Sequence, residues 1–291
     1  MSNIKYFTMA GQGTPVQSPA EPENARINAV WMDGTMIEGC MFNEASWYMM
    51  PCREPGLRKH NSDKMMFFIG GNPDKPESLN ATVDMWIEND KLTLTNTCAV
   101  FVPGRTAHGN LEIKDLETSL FRYTCHINTD IYDSSPAEAT AGPGTYANYY
   151  VERYERPDGT IPEAPEGFIK FLVYLNGERL KGAPYAEAIW FCTTNDTGPA
   201  PHSHNDFDEF IGFIGSDPER PEELNGEISF YVEGEKISLT KSCLVYIPRG
   251  VEHSPILVPK LEKPILHFSG GNGSHYAREG DENRDDNMFK L

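Results

Sequence analysis

The sequence predicts an all-β protein built as two tandem antiparallel barrels or sandwiches, and three observations carry that expectation. Short segments rich in β-branched and aromatic residues, such as FIKFLVYL, AEAIWFC, EFIGFIG, EISFYV, KISLT and CLVYIP, are separated by Gly, Pro, Asn and Asp, the signature of strands joined by turns. Long helical periodicity is absent, so the strands are not interleaved with helices. Finally, the chain is written twice, at a period far too long for a solenoid.

The repeat defines the elements in order. Residues 71–108, GNPDKPESLNATVDMWIENDKLTLTNTCAVFVPGRTAH, align without a gap with 216–253, SDPERPEELNGEISFYVEGEKISLTKSCLVYIPRGVEH, at an offset of 145. Pro73 and Pro218, Leu79-Asn80 and Leu224-Asn225, Cys98 and Cys243, and His108 and His253 are shared landmarks. Upstream, residues 31–48 match 174–191 at an offset of 143, pairing Gly34 with Gly177, Glu44 with Glu187 and Trp47 with Trp190. The second copy therefore carries two extra residues between about 191 and 215. The expected organisation is a first barrel over 1–126, a connector over 127–168 with the turn-forming clusters SSPAEATAGPG and RPDGTIPEAPEG, a second barrel over 169–270, and a solvated acidic tail over 271–291.

Bulk properties exclude several function classes. A length of 291 residues suits one large domain or two ordinary ones. The formal charge of −18 repels a phosphate backbone, so sequence-independent nucleic-acid binding is not expected. No apolar run approaches the roughly 18 residues that span a bilayer, and the N-terminus MSNIKYFTMAGQGTPVQSP lacks the apolar core of a secretion signal. The expectation is a cytoplasmic protein with no membrane partner. Six cysteines stand singly, with no CxxC, which fits buried reduced thiols better than disulfides or a zinc ribbon.

The chemistry concentrates in PHSHNDFDEFIGFIG, residues 201–215. His202 and His204 are one residue apart, so on an extended segment both imidazoles face the same way. Asp208 and Glu209 follow after a short turn, and IPRGVEH supplies His253 much later. Three imidazoles and a carboxylate suit one divalent transition metal, Fe, Mn, Zn, Ni or Cu, without choosing among them.

HSHNDFDE, the apolar run to Gly215, and PRGVEH resemble the two sequence motifs of the cupins, and the resemblance extends over both repeats as a bicupin. It implies two tandem cupin-type antiparallel jelly-roll barrels, with His202, His204 and His253 as metal ligands and one acidic ligand. Family spacing admits Asp208 or Glu209; glutamate is the family's usual ligand there, which makes Glu209 the expected one. The family also pairs barrels within or between chains, so a homodimer is an expectation.

The first copy reads differently at the same positions. His108 matches His253 and His60 matches His204, but Arg58 stands opposite His202 and Lys64 opposite Glu209. A guanidinium and an ammonium donate no lone pair and repel a cation. The first barrel is expected to bind no metal, and to be structural or to hold an anion on Arg58 and Lys64. Among the remaining candidates, His267 either lines the second barrel's cavity or is a bonded core residue, His126 and His275 cannot be oriented, and Trp47 and Trp190 read as core. Asp206 and Glu252 are nominal acid or base groups. GQG and GGNG lack the strand-to-helix context of a phosphate loop. The sequence outside the repeats is too short and acidic for a DNA-binding module.

The resemblance implies metal-dependent dioxygenases, decarboxylases, lyases or isomerases. The expectation is an enzyme acting on a small organic molecule, with dioxygenase chemistry slightly ahead on the strength of an aromatic-rich second copy. A non-catalytic ligand-binding protein is the rival class.

Overall fold

The computed structural model describes residues 3–13 and 20–276. The expected acidic tail lies outside the described residues from 277 onward; its first residue, Gly271, closes the strand Ile265–Gly271. Every strand pairing is antiparallel, and the helical content among the described residues is two 3₁₀ turns, Asn3–Tyr6 and Glu23–Ala25. None of the described helices is long and apolar enough to cross a membrane.

The two repeats fold alike. In the first, a six-stranded sheet runs in spatial order Tyr150–Glu152, Cys98–Val102, Lys64–Gly70, Leu120–His126, Phe42–Tyr48 and Arg26–Met32. A second sheet holds Ser135–Pro136, Cys52–Lys59, His108–Lys114, Ser78–Ile87 and Asp90–Asn96. In the second repeat the six-stranded sheet runs Phe7–Met9, Cys243–Ile247, Glu209–Gly215, Ile265–Gly271, Ala186–Phe191 and Ile169–Leu175, facing a three-stranded sheet of Glu235–Lys241, Glu223–Val232 and His253–Leu261. Sequence neighbours such as Glu209–Gly215 and Glu223–Val232 lie in different sheets, the crossing connectivity of a jelly roll.

The barrels exchange their edges. Phe7–Met9, near the start of the chain, pairs with Cys243–Val245 of the second barrel, and Tyr150–Glu152, inside the expected connector, pairs with Cys98–Val100 of the first. The two pairings have the same register at the repeat offset. Each edge that the resemblance placed in one barrel is thus closed by a strand from outside its expected boundaries, which covers backbone groups that would otherwise invite intermolecular pairing.

Repeated landmarks have structural reasons. Leu79 and Leu224 are fully buried, while Asn80 and Asn225 adopt left-handed φ values of 50° and 55°, a conformation Asn tolerates better than most residues; the strand register shifts just beyond both. A Cβ on Gly70 or on Gly215 would lie 2.1 Å from the Ser78 carbonyl or 1.9 Å from the Glu223 carbonyl, so the FIG that ends both strands is a close-approach requirement.

Each barrel has an interior core, and a third cluster lies where the six-stranded sheets face one another. There Phe268 packs against Tyr123 at 4.2 Å and against Phe121 at 5.9 Å between ring centroids, and Tyr123 meets Phe210. Trp47 and Trp190 are fully buried in the same cluster, as core. Five cysteines are buried, Cys192 is half-buried, and all six are free.

Candidate metal centre

Three different segments deliver the candidate ligands. Glu209 opens the strand Glu209–Gly215, His253 opens His253–Leu261, and His202 and His204 sit on a segment without regular strand structure. In the first repeat the corresponding segment, Cys52–Lys59, is a full strand with Arg58 across from His108. In the second it is reduced to the bridges Asn195–Val258 and His202–His253, the latter closed by two backbone hydrogen bonds of 2.9 and 3.0 Å. The expectation that one strand supplies both histidines is corrected accordingly: the two extra residues fall where regular pairing is lost, and a single bridge seats His202 beside His253.

The ring nitrogens are polarised by the backbone. His202 Nδ1 donates to the Ala200 carbonyl at 2.7 Å and His253 Nδ1 donates to the Val251 carbonyl at 3.1 Å, so each neutral ring carries its lone pair on Nε2. The ligand atoms of His202, His204 and His253 lie within 4.8 Å of one another. Glu209 Oε2 is 2.9 Å from His253 Nε2 and 3.6 Å from His204 Nε2. That oxygen is buried and receives no hydrogen bond. A carboxylate facing an imidazole lone pair is repulsive unless a proton or a cation stands between them. Burial alone would raise the Glu209 carboxyl, but His253 and His204, by their charge and hydrogen bonds when their rings are protonated, hold it well below its ordinary range, so it is a carboxylate with a proton or a cation between it and the rings. The donor set fits a divalent transition metal.

Asp208 points elsewhere, as alternation along a strand requires. Its Oδ1 accepts the Arg249 backbone N–H at 3.1 Å, and its Oδ2 accepts from Asn272 Nδ2 at 3.1 Å. Glu209, not Asp208, faces the histidines. Asp206 and Glu252 are exposed.

A cleft of about 360 Å³ opens onto these residues and is also lined by Tyr185, Glu187, His267 and Tyr276. The Tyr276 hydroxyl is 3.5 Å from His202 Nε2. His267 both lines the cleft and is a bonded core residue: its Nδ1 meets the Gly212 carbonyl at 3.1 Å, its ring stacks between Phe191 and Phe213, and burial pushes it down to about 4. It is a neutral wall. His275 lies outside the cleft, half-exposed against Glu178 at 3.2 Å.

Glu187 is the functional candidate that motif reading passed over. Tyr154 donates to its carboxyl. Burial raises Glu187 above the ordinary carboxylate range, against the opposing pull of Arg156 and the hydroxyls of Tyr154 and Tyr185. The cleft thus holds a carboxylate, Glu209, and a carboxyl biased toward its neutral form, Glu187, a division of labour suited to proton transfer. The signal was a lone acid in the wholly buried strand AEAIWF.

The first barrel arranges the same positions around cations. Lys64 Nζ is 3.3 Å from His108 Nε2, and His108 Nδ1 meets the Thr106 carbonyl at 2.9 Å, the counterpart of the His253 contact. Arg58 bonds the hydroxyl and carbonyl of Ser134. Where the second barrel has His267, the first has Arg122, which bonds Glu54 at 2.9 Å; Arg26 bonds the same carboxylate at 2.6 Å. His126, which the sequence left unoriented, meets His60 edge to face at 4.3 Å, and the ligand atoms of His60, His126 and Asp133 lie within 4.8 Å of one another. Lys64 stands directly across from His126 in the strand register, so a cation at that cluster faces an ammonium.

No protein-family model and no curated protein matches the chain. The fold, two antiparallel jelly-roll barrels in one chain, is shared with solved structures. Solved structures with this fold include variants of Bacillus subtilis oxalate decarboxylase, one at 10% identity with a TM-score of 0.59 over 96% of this chain and 80% of that one, another at 11% identity with a TM-score of 0.56 over 92% and 80%. A further structure, described by the Mn(II) centres of B. subtilis oxalate decarboxylase, aligns at 11% identity with a TM-score of 0.54 over 91% and 80%.

Proposed function

We propose that the chain is a metal-dependent bicupin enzyme acting on a small organic acid, with decarboxylation ahead of dioxygenation. The observation that carries this reading is the buried Glu209 oxygen facing His253 Nε2 without a hydrogen bond, beside a second carboxyl, Glu187, biased toward its neutral form. The sequence places oxygenase chemistry slightly ahead, with the aromatic-rich second copy permitting an apolar cavity. Those aromatics are mostly spent in the cores, as with Phe213, Phe230 and Phe268, and the structural neighbours named above are decarboxylases, so the preference moves.

In this reading one divalent metal is held in the second barrel by His202, His204, His253 and Glu209. When bound, it supplies a Lewis-acid site for a substrate carboxylate and an electron path if it is redox-active. The protein's own groups do the rest. The carbonyls of Ala200 and Val251 fix the tautomers of His202 and His253. The Tyr276 hydroxyl, near His202 and on the cleft wall, offers a hydrogen bond to bound acid. Loss of carbon dioxide leaves a carbanion-like centre that needs a proton. Glu187, whose carboxyl burial raises above the ordinary carboxylate range, is the group placed to hold and deliver one, with Tyr154 and Tyr185 replacing solvent as its hydrogen-bond partners. His267, neutral and locked to Gly212, closes the wall.

The test is elemental analysis of protein purified without added metal, followed by assays with oxalate and other small carboxylic acids. The expected result is stoichiometric carbon dioxide with no net dioxygen uptake, lost on chelation. Dioxygen consumed in proportion to substrate restores the oxygenase reading. Binding without turnover across the series leaves a non-catalytic ligand-binding protein.

A further inference from the structure

We infer that the cavity of the first barrel is a binding site for a small organic carboxylate with an apolar body, anchored by the Lys64 ammonium and the Arg58 guanidinium. The cavity measures about 510 Å³ with its open mouth included, and Met66, Phe68, Met85 and Leu111 form its apolar wall. Lys64, Arg58, His60, His108, Arg122 and Glu54 supply polar lining.

Charge accounting carries the argument. The chain has 43 acidic against 25 basic residues, and the two guanidinium groups buried in the first barrel are each paired with carboxylates. Arg122 and Glu54 also line the cavity, and with Arg26 and Glu44 they form a salt-bridged quartet whose charges match. Lys64 and Arg58 are not matched: among the described residues the partner of Lys64 is His108, and those of Arg58 are the two oxygens of Ser134, all uncharged groups. Two half-buried positive charges therefore face one cavity, and partial removal of such charge from water is costly unless a ligand supplies the counter-charge. His60 registers the field. Burial, then Lys64, then its neighbouring histidines and Arg58 push it far below its usual value, so it stays neutral.

The comparison between barrels gives the ligand class. Lys64 occupies the position of Glu209, and its ammonium meets His108 Nε2 where Glu209 meets His253 Nε2. The ammonium holds the place of a cation without being a metal. A carboxylate can pair there with Lys64 and Arg58, while its apolar part lies against methionine, phenylalanine and leucine side chains. The wall of Met66, Phe68, Met85 and Leu111 does not suit a fully hydrated inorganic anion.

The experiment uses the full chain carrying His253→Ala, which disables the second barrel's site, and titrates benzoate, hexanoate and inorganic phosphate by calorimetry. The expected result is one equivalent of benzoate or hexanoate bound. Affinity should fall about tenfold or more with Lys64→Met, fall several-fold with Arg58→Gln, and survive Lys64→Arg within a few-fold. Thermal melting of each variant checks folding, and Lys64→Arg keeps the test decisive if Lys64→Met does not fold. Absence of saturable carboxylate binding overturns the proposal, as does equal affinity in Lys64→Met and Arg58→Gln, or binding of phosphate alone. A metal equivalent that persists in His253→Ala and vanishes on His60→Ala also overturns it, in favour of a metal at His60, His126 and Asp133.

Discussion

The two barrels share strand order, register, the left-handed Asn80 and Asn225, and the glycines that let strands approach, yet their interiors solve opposite electrostatic problems. The first closes Arg26, Arg122, Glu44 and Glu54 into a salt-bridged quartet and places Lys64 against His108. The second puts Glu209 against His253 and His204, and fills the equivalents of Arg122 and Glu44 with the neutral His267 and a raised Glu187. One barrel satisfies its buried charge internally at depth; the other leaves an acceptor, Glu209 Oε2, with no hydrogen-bond donor. The fold is indifferent to which solution is used, so the difference reports function rather than folding.

The sharpest way to break this comparison is to remove the proposed donors one barrel at a time. His253→Ala or Glu209→Gln should weaken metal affinity by about 100-fold or more, at or beyond the effect of removing groups that support metal ligands, and abolish turnover. His108→Ala, the counterpart in the first barrel, should leave metal content unchanged. Elemental analysis of the three purified variants decides it, and equal metal loss in His108→Ala would make the barrels equivalent.

The quartet offers the next largest effect, on stability. Glu54 accepts from Arg26, Arg122 and Tyr48, and truncating it leaves two buried guanidinium groups short of counter-charge. Glu54→Ala should cost about 3–5 kcal/mol in urea denaturation. Glu187→Gln in the second barrel keeps an oxygen that accepts from Tyr154 with almost no change in shape, so it should fold normally while losing turnover.

Titration separates the barrels by sign. Burial opposes ionisation of Glu54, but Arg122 and Arg26 hold its carboxyl below the ordinary value; its stabilisation is present above the unfolded pKa of about 4.3 and is lost as pH falls through the lower folded value. Burial lifts Glu187; its contribution is fully present below about 4.3 and is lost as pH rises through the higher folded value. Urea midpoints measured across pH should decline on both sides. Glu187→Gln should flatten the rising-pH decline alone, by roughly 1.4 kcal/mol for each unit of its shift.

Much of this was legible in the residues. Gapless alignment of residues 71–108 with 216–253 places equivalent strands, and the HxH, acidic and PRGVEH motifs name four side chains that meet within a few ångströms. What escaped reading is what depends on long-range pairing. Phe7–Met9 and Tyr150–Glu152 carry no local sign that they close the sheets of the second and the first barrel respectively. His126 and Asp133 gain meaning only when the Leu120–His126 strand and the following turn converge on His60. Glu187 looked like one more conserved landmark of the internal repeat, because its burial beside Tyr154 and Tyr185 is a tertiary property.

The smallest expected effect bears on the two adjacent acids, Asp208 and Glu209. Asp208 is tied to the Arg249 backbone and to Asn272 on the side of the strand away from the histidines, so Asp208→Asn keeps one acceptor and loses one charge. It should cost about 1 kcal/mol of stability and leave metal content and turnover within about twofold of the parent. Glu209→Gln removes the anionic oxygen beside His253 with almost no change in shape, so a difference between these two variants reads ligation and not packing. Metal lost from Asp208→Asn and retained in Glu209→Gln would mean that metal binding draws the neighbouring carboxylate around the strand, and would exchange the roles of the two.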